Sequence, residues 1–413
     1  MLISNNIASR LGSLKMMIER EDIPALLTGM MATLAGIGVA RFAYTPLLPE
    51  LVKQQWFSDS QAAYLGAANL LGYLIGALSA HRLSERLSVR MLMGWCFAGI
   101  ALSFVLCAQP GHFGWFFIWR LIAGVCGAIL MVVGPATALS KTPAARRAGV
   151  GAFVFTGIGL GAVLSASVVP LLMQVSLSAT WLALGTLSLL AGLIGDRGLV
   201  RLPNTAVQTI RAGKSTRTPR GAGLLVIVVM AAYALDAVGF IPHTLFWVDY
   251  LAREQGLGTQ AASVQWAVFG VGAVCGPLFA GIVAQRLGWH SGLTLAFAAK
   301  ALAVGLPLLS MGLASRTLSS FIVGAMVPGI VALTSGRISE LVGPAEHKRL
   351  WGLATAVFAV AQALSGYAMS ALYVIWGSYH YLFYTGSAAL AGGAVLIILS
   401  GYIHEHKKIP GHL

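Results

Sequence analysis

Acidic residues are scarce in this chain. There are 13 Asp and Glu among 413 residues, against 27 Lys and Arg, and charged residues make up only 10% of the total. Soluble domains carry about 25% charged residues, so a soluble multidomain protein is excluded. Cysteine is rarer still: Cys96, Cys107, Cys126 and Cys275 lie singly inside apolar runs, which gives neither a disulfide framework nor a metal-ligand spacing. No Gly-rich phosphate-binding loop is present, so ATP-driven chemistry has no engine, and no His-Glu-x-x-His motif occurs. His404, His406 and His412 stand together in the polar tail, where a solvated end is the simpler reading than a metal site. With no nucleophile, acid–base pair or metal site above background, neither an enzyme nor a resident cofactor is expected.

What the chain has in abundance is apolar length. Hydrophobic residues reach 57%, and 49 glycines accompany them, as expected where membrane helices pack closely. A span needs roughly 20 apolar residues. Runs of that kind occur at 23–51, 60–80, 91–109, 113–139, 148–174 and 179–196, then at 222–250, 262–284, 291–313, 317–336, 350–374 and 379–403. The first is too long for a signal-peptide core and lacks a small-residue cleavage site, so it reads as an uncleaved span. The pattern predicts an all-α integral membrane protein of twelve transmembrane helices. Its expected parts are an N-terminal segment 1–22, a six-helix bundle 23–196, a basic linker 197–221, a second six-helix bundle 222–403 and a tail 404–413.

The basic excess has a direction. With the N-terminus inside, 21 Lys and Arg fall on the cytoplasmic side, whereas only Lys53, Arg253 and Arg316 lie on the outer side. That asymmetry alternates at every loop and predicts both termini in the cytoplasm. It also predicts contact with anionic lipid head groups, and nucleic-acid binding is not needed to explain the charge. Arg41, Arg120 and Lys300 are the three basic residues left inside spans, and Asp236 is the acidic residue well inside one.

A charge near bilayer depth costs at least about 2.5–3.5 kcal/mol on insertion scales, so each of these residues calls for an account. Arg41 sits in Arg41-Phe42-Ala43-Tyr44-Thr45-Pro46-Leu47-Leu48-Pro49. It either faces a central cavity, where its guanidinium suits a carboxylate or another planar anion, or snorkels to the outer surface. Asp236, near mid-depth, either takes up and releases a proton or forms a static ion pair with Arg41, Arg120 or Lys300. Lys300 contacts a partner helix, snorkels, titrates, or serves transport. Tyr44, Asn69, His243 and Gln362 are the neutral candidates for substrate contact, with interhelical hydrogen bonding as their plainer role.

The halves look related. Gly72-Tyr73-Leu74-Ile75-Gly76 precedes Arg82-Leu83, and Gly276-Pro277-Leu278-Phe279-Ala280 precedes Arg286-Leu287. Arg41-Phe42-Ala43-Tyr44-Thr45-Pro46 is echoed by Gly239-Phe240-Ile241-Pro242-His243-Thr244. Two parallel six-helix repeats with a site at their interface is a transporter plan. These motifs, together with Gly38-Val39-Ala40-Arg41 and Ala67-Ala68-Asn69-Leu70-Leu71-Gly72, resemble the major facilitator superfamily and its bacterial YbfB/YjiJ-type branch. Arg120-Leu121-Ile122-Ala123-Gly124-Val125-Cys126-Gly127-Ala128 is similar to the superfamily's fourth-helix pattern, and the resemblance implies a part for Arg120 in proton coupling. The segment Ala80-His81-Arg82-Leu83 lacks the acidic residue usual in the loop after the second helix, and Gly157, Gly159 and Gly161 are not followed by Gly-Pro.

The resemblance implies a monomeric secondary transporter in the bacterial inner membrane, working by alternating access. An organic anion or carboxylate is the favoured substrate and protons are the expected coupling ion. Efflux of hydrophobic compounds, uncoupled uniport, and a nontransporting membrane sensor or membrane enzyme are the alternatives.

Overall fold

The computed structural model describes residues 18–143, 146–203 and 222–408. It is helical, with no strand among the described residues. The helical segments are α1 (Arg20–Lys53), α2 (Asp59–Arg86), α3 (Val89–Leu106), α4 (Phe113–Ser140), α5 (Arg147–Met173), α6 (Leu177–Val200) and α7 (Gly223–Glu254). The helical stretches Gly258–Leu309, Leu313–Trp376 and His380–Lys408 follow.

Eleven helices among the described residues are long and apolar enough to cross a membrane. One of them crosses twice. Gly258–Leu309 has 52 residues, about 78 Å if straight, against an apolar core of about 30 Å. At Gly288 its backbone turns to φ 80°, ψ 166°, a conformation open to glycine and strained for any residue with a Cβ. This break separates α8 (258–287) from α9 (289–309). The same device at Gly343, φ 74° and ψ 174°, separates α10 (Leu313–Gly343) from α11 (Arg349–Trp376), and α12 is His380–Lys408. Between α2 and α3 the chain uses a cap instead, the Ser88 hydroxyl accepting from the Met91 N–H. The twelve predicted spans are therefore present. α6 continues to Val200 and α12 to Lys408, so the first residues of the expected linker and tail are helical. Residues 204–221 and 409–413 of those segments, His412 with them, and residues 1–17 of the N-terminal segment lie outside the described residues.

Small residues let pairs of helices touch backbone to backbone. A Cβ added at Gly72, Gly76 or Gly124 would fall 2.0 Å from the Leu121 carbonyl oxygen, 2.3 Å from that of Val125 and 2.1 Å from that of Asn69. At Gly272, Gly276 and Gly324 it would meet the carbonyls of Phe321, Ala325 and Phe269 at 2.2, 2.2 and 2.0 Å. The α2–α4 contact is thus repeated as α8–α10 with a constant step of 200 residues (72 to 272, 76 to 276, 124 to 324). This corrects the register read from sequence, which set Gly72 beside Gly276. Glycine recurs about one helical turn apart on both helices, so the motif alone fits either register.

The two halves meet from mid-depth to the end of the bundle opposite the termini. There the Thr45 hydroxyl donates to the Thr244 carbonyl at 2.5 Å, and the Thr259 hydroxyl donates to Glu50 at 2.6 Å. Trp266 donates to Ser165 at 3.1 Å, and the Phe42 ring stands edge-on to Trp266 and Phe269. Residues 31–51 of α1 and 239–252 of α7 are buried without interruption, whereas nearer the termini both helices alternate buried and exposed positions.

Candidate functional site

The site begins with a fault in α1. Residues Leu34–Val39 wind as a π-helix, and Phe42 donates its N–H to the Ile37 carbonyl, five residues back. Tyr44 then bonds to Arg41, only three back. Pro46 contributes no N–H to the next turn. Regular winding would give the Tyr44 N–H to the Ala40 carbonyl, so the fault leaves that oxygen without its usual partner. Two side chains take it: Arg120 donates at 2.9 Å and Asn69 at 3.4 Å. Asn69 also donates to the Arg120 carbonyl at 3.2 Å. Local winding of one helix thus fixes side chains from α2 and α4.

Arg41, Tyr44, Asn69, Arg120, Gly66, Leu70, Thr244 and Leu245 line a cavity with room for about one water molecule. Arg41 is 9% exposed and Arg120 1%, so neither snorkels. The Arg41 guanidinium lies 5.0 Å from the Phe240 ring centroid and 5.8 Å from that of Phe42. Arg120 lies 4.5 Å from the Tyr44 ring, whose hydroxyl donates to the Ala62 carbonyl at 2.7 Å. Gln362, with its amide oxygen turned toward Arg41, accepts from both terminal guanidinium nitrogens. Among the described residues neither arginine forms an ion pair with a carboxylate. Buried cations of this kind are costly unless paired and hydrogen-bonded, and cation–ring contacts compensate only in part.

Asp236 has a different neighbour. Lys300, on α9, donates to its Oδ1 at 2.7 Å, with both side chains sealed from solvent. Of the three cations open to Asp236 in the sequence, Lys300 is the one that reaches it. The Lys300 ammonium also lies 5.4 Å from the Phe240 centroid. Phe240 therefore stands in contact with the cation of α1 and the carboxylate-paired cation of α9.

His243 is turned away from the cavity. The Ser319 hydroxyl gives its single proton to the Ala303 carbonyl at 2.6 Å, so His243 Nε2, at 2.8 Å, is the donor to Ser319. Its ring stacks on Trp247 and meets Phe383 edge-on. The structure thus brings Arg41, Tyr44, Asn69, Arg120 and Gln362 together, places Asp236 and Lys300 behind Phe240, and leaves His243 in the packing of α7 against α10 and α12.

A second charged cluster escaped the sequence reading. Asp249 is fully buried at the far end of α7, where Arg253 and the Tyr379 hydroxyl both donate to it. Arg253 donates as well to Asp59 at the start of α2, which joins the two halves. Arg253 reads as a loop cation when only its position in the chain is considered. The signal for its role was the four-residue spacing of Asp249 and Arg253, which puts both on one helical face.

Comparison with known proteins agrees with this architecture. The model of the family described as "Uncharacterised MFS-type transporter YbfB" matches residues 33–398. A curated relative, the "Uncharacterized MFS-type transporter YceJ" of Bacillus subtilis (strain 168), is 25% identical over 265 residues. That match takes in 61% of this chain and 65% of the relative, less than two thirds of its length. Among solved structures, a D-xylose–proton symporter superposes with a TM-score of 0.72 at 18% identity, covering 91% of this chain and 96% of the other. A variant of the peptide transporter POT gives 0.70 at 15% identity, covering 91% and 94%. At those identities the likeness concerns the fold, and it is the match across residues 33–398 that fixes the family. The chain is a multi-pass membrane protein and belongs to the YbfB-type family of MFS transporters.

Proposed function

We propose that the protein moves a small organic anion, a carboxylate by preference, across the bacterial inner membrane by alternating access between its two six-helix halves. The observation that carries this reading is the pair Arg41 and Arg120: both are buried, both line one cavity at the interface of the halves, and neither has a carboxylate partner among the described residues. A guanidinium in that position binds a carboxylate through two parallel, charge-assisted hydrogen bonds. The cavity is too small for an organic ligand and the contacts between halves lie at the end opposite the termini. With the termini in the cytoplasm, as the charge of the loops favours, this is a state closed to the outside.

Proton coupling belongs to Asp236 and Lys300. Protonating Asp236 leaves Lys300 without its counter-charge, so the charge of the pair and the seating of α7 against α9 are linked. Phe240, one turn beyond Asp236, carries that change toward Arg41. Arg120 acts as a gating contact by holding the Ala40 carbonyl. The protein works as a monomer, with anionic lipid head groups around its cytoplasmic face.

Thermal unfolding of the purified protein with a panel of organic acids, amino acids, sugars and hydrophobic cations tests the substrate class. A ligand that binds only the folded state raises the midpoint with its concentration. An organic acid is expected to stabilise wild type and not Arg41→Ala; equal stabilisation of both would remove Arg41 from the binding site. In proteoliposomes, Asp236→Asn is expected to abolish accumulation driven by a pH gradient while ligand exchange across equilibrated membranes continues. Accumulation that survives the substitution would rule Asp236 out as the coupling group.

A further inference from the structure

Gln362 lies on α11, in the second half, and is fully buried. Its amide oxygen sits in the fork of Arg41, accepting from Nη1 and Nη2 together. The opposite orientation would set the amide N–H groups against guanidinium donors, so the network itself selects the oxygen. One oxygen facing both terminal nitrogens is half of what a carboxylate offers. A carboxylate makes two parallel bonds, one to each of its oxygens, and adds the counter-charge that the amide lacks. Beside this contact the cavity holds about one water molecule. An organic anion therefore cannot reach Arg41 until some side chain leaves. Gln362 is unbranched, uncharged and bound from the other half, whereas Tyr44 and Asn69 are fastened to the Ala62, Ala40 and Arg120 carbonyls.

We infer that Gln362 is an internal stand-in for the ligand's carboxylate. It occupies Arg41 in the empty carrier and is displaced by the incoming anion. The inference rests on the proposed role of Arg41 as the anion contact. It has two consequences. The empty carrier changes face without exposing an uncompensated guanidinium to a dry interior, because the amide dipole partly replaces the missing charge. Ligand binding also exchanges a bond between the two halves for a bond to the ligand, so occupancy alters what holds the halves together at mid-depth.

The experiment compares full-length wild type, Gln362→Glu, Gln362→Met and Arg41→Ala by thermal unfolding, without ligand and with sodium acetate, lactate, succinate and benzoate as probes. Methionine keeps the length of the side chain and removes its acceptor, and glutamate supplies a permanent carboxylate. The expected result is that a probe shifts wild type. Gln362→Glu should melt higher than wild type without ligand and lose the shift. Gln362→Met should keep the shift at a probe concentration lower by about tenfold or more, since the two hydrogen bonds to the guanidinium no longer compete. A Gln362→Met variant that binds the probe more weakly than wild type would overturn the inference, because Gln362 would then be a direct ligand contact. So would Gln362→Glu that responds to the probe as wild type does. If no probe shifts wild type, the anion reading itself fails and the stand-in falls with it. If the shift is present and lost in Arg41→Ala, only the Gln362 results decide. Should Gln362→Met fail to fold, the response of Gln362→Glu to the probe decides alone.

Discussion

The two halves share a packing scheme and differ in charge. Gly72, Gly76 and Gly124 seat α2 on α4 through the same backbone contacts that Gly272, Gly276 and Gly324 use to seat α8 on α10. At the same step of 200 residues, Arg120 corresponds to Ser320, which accepts from Trp247 and donates to Gln265. The first half thus presents two cations to the cavity. The second half has closed its own cation against Asp236. Close packing leaves no room for a larger residue at the helix contacts, and the halves differ instead at their buried charges. The difference gives the interface a positive side and a neutral side, the asymmetry on which the proposed anion site relies.

The largest test of this contrast is to break the neutral pair. Lys300→Met leaves Asp236 buried without its partner and is expected to cost about 3–5 kcal/mol, with most of it recovered in the double variant Asp236→Asn, Lys300→Met. Chemical unfolding in detergent measures both, and a Lys300→Met protein as stable as wild type would show that the pair does not hold α9 to α7. The shared scheme is sharpened by Gly124→Ala and Gly324→Ala, whose new Cβ atoms would lie 2.1 and 2.0 Å from carbonyl oxygens. Each should cost about 1–3 kcal/mol. A marked inequality between the two would mean that the repeats do not bear load alike. A smaller, conformational effect is expected from Asp59→Asn, which removes the Asp59–Arg253 link between halves and leaves Arg253 on Asp249. A single cysteine placed at Leu48 should then react severalfold faster with a water-soluble maleimide, and an unchanged rate would take the Asp59–Arg253 link out of the closure.

Much of this was legible from the chain. Hydropathy alone marks the spans, since no soluble arrangement hides so much apolar length, and it makes Arg41, Asp236 and Lys300 stand out as costly. Rotation about the helix axes was not legible. Asp236 and Lys300 are 64 residues apart, and which cation reached Asp236 depended on how α7 and α9 face one another. His243, three residues beyond Phe240, turns toward α10 for the same reason. The displacement of the repeat by about one turn is a third case, because evenly spaced glycines look alike in either register. Asp249 and Arg253 were overlooked because the end of a span and the beginning of a loop have the same composition. Only the fold shows that α7 stays buried to Ala252.

The loss of the usual helical partner at the Ala40 carbonyl has a consequence for movement. Arg120 and Asn69 hold it only while α1 stays loosely wound over residues 34–43. If that segment tightened into regular helix, the Tyr44 amide would take the oxygen back, and both side chains would lose that bond in one step. A change of pitch in one helix would free the Arg120 guanidinium and undo its tie between α4 and α1 together, as a ratchet lets go of two pawls at a single tooth.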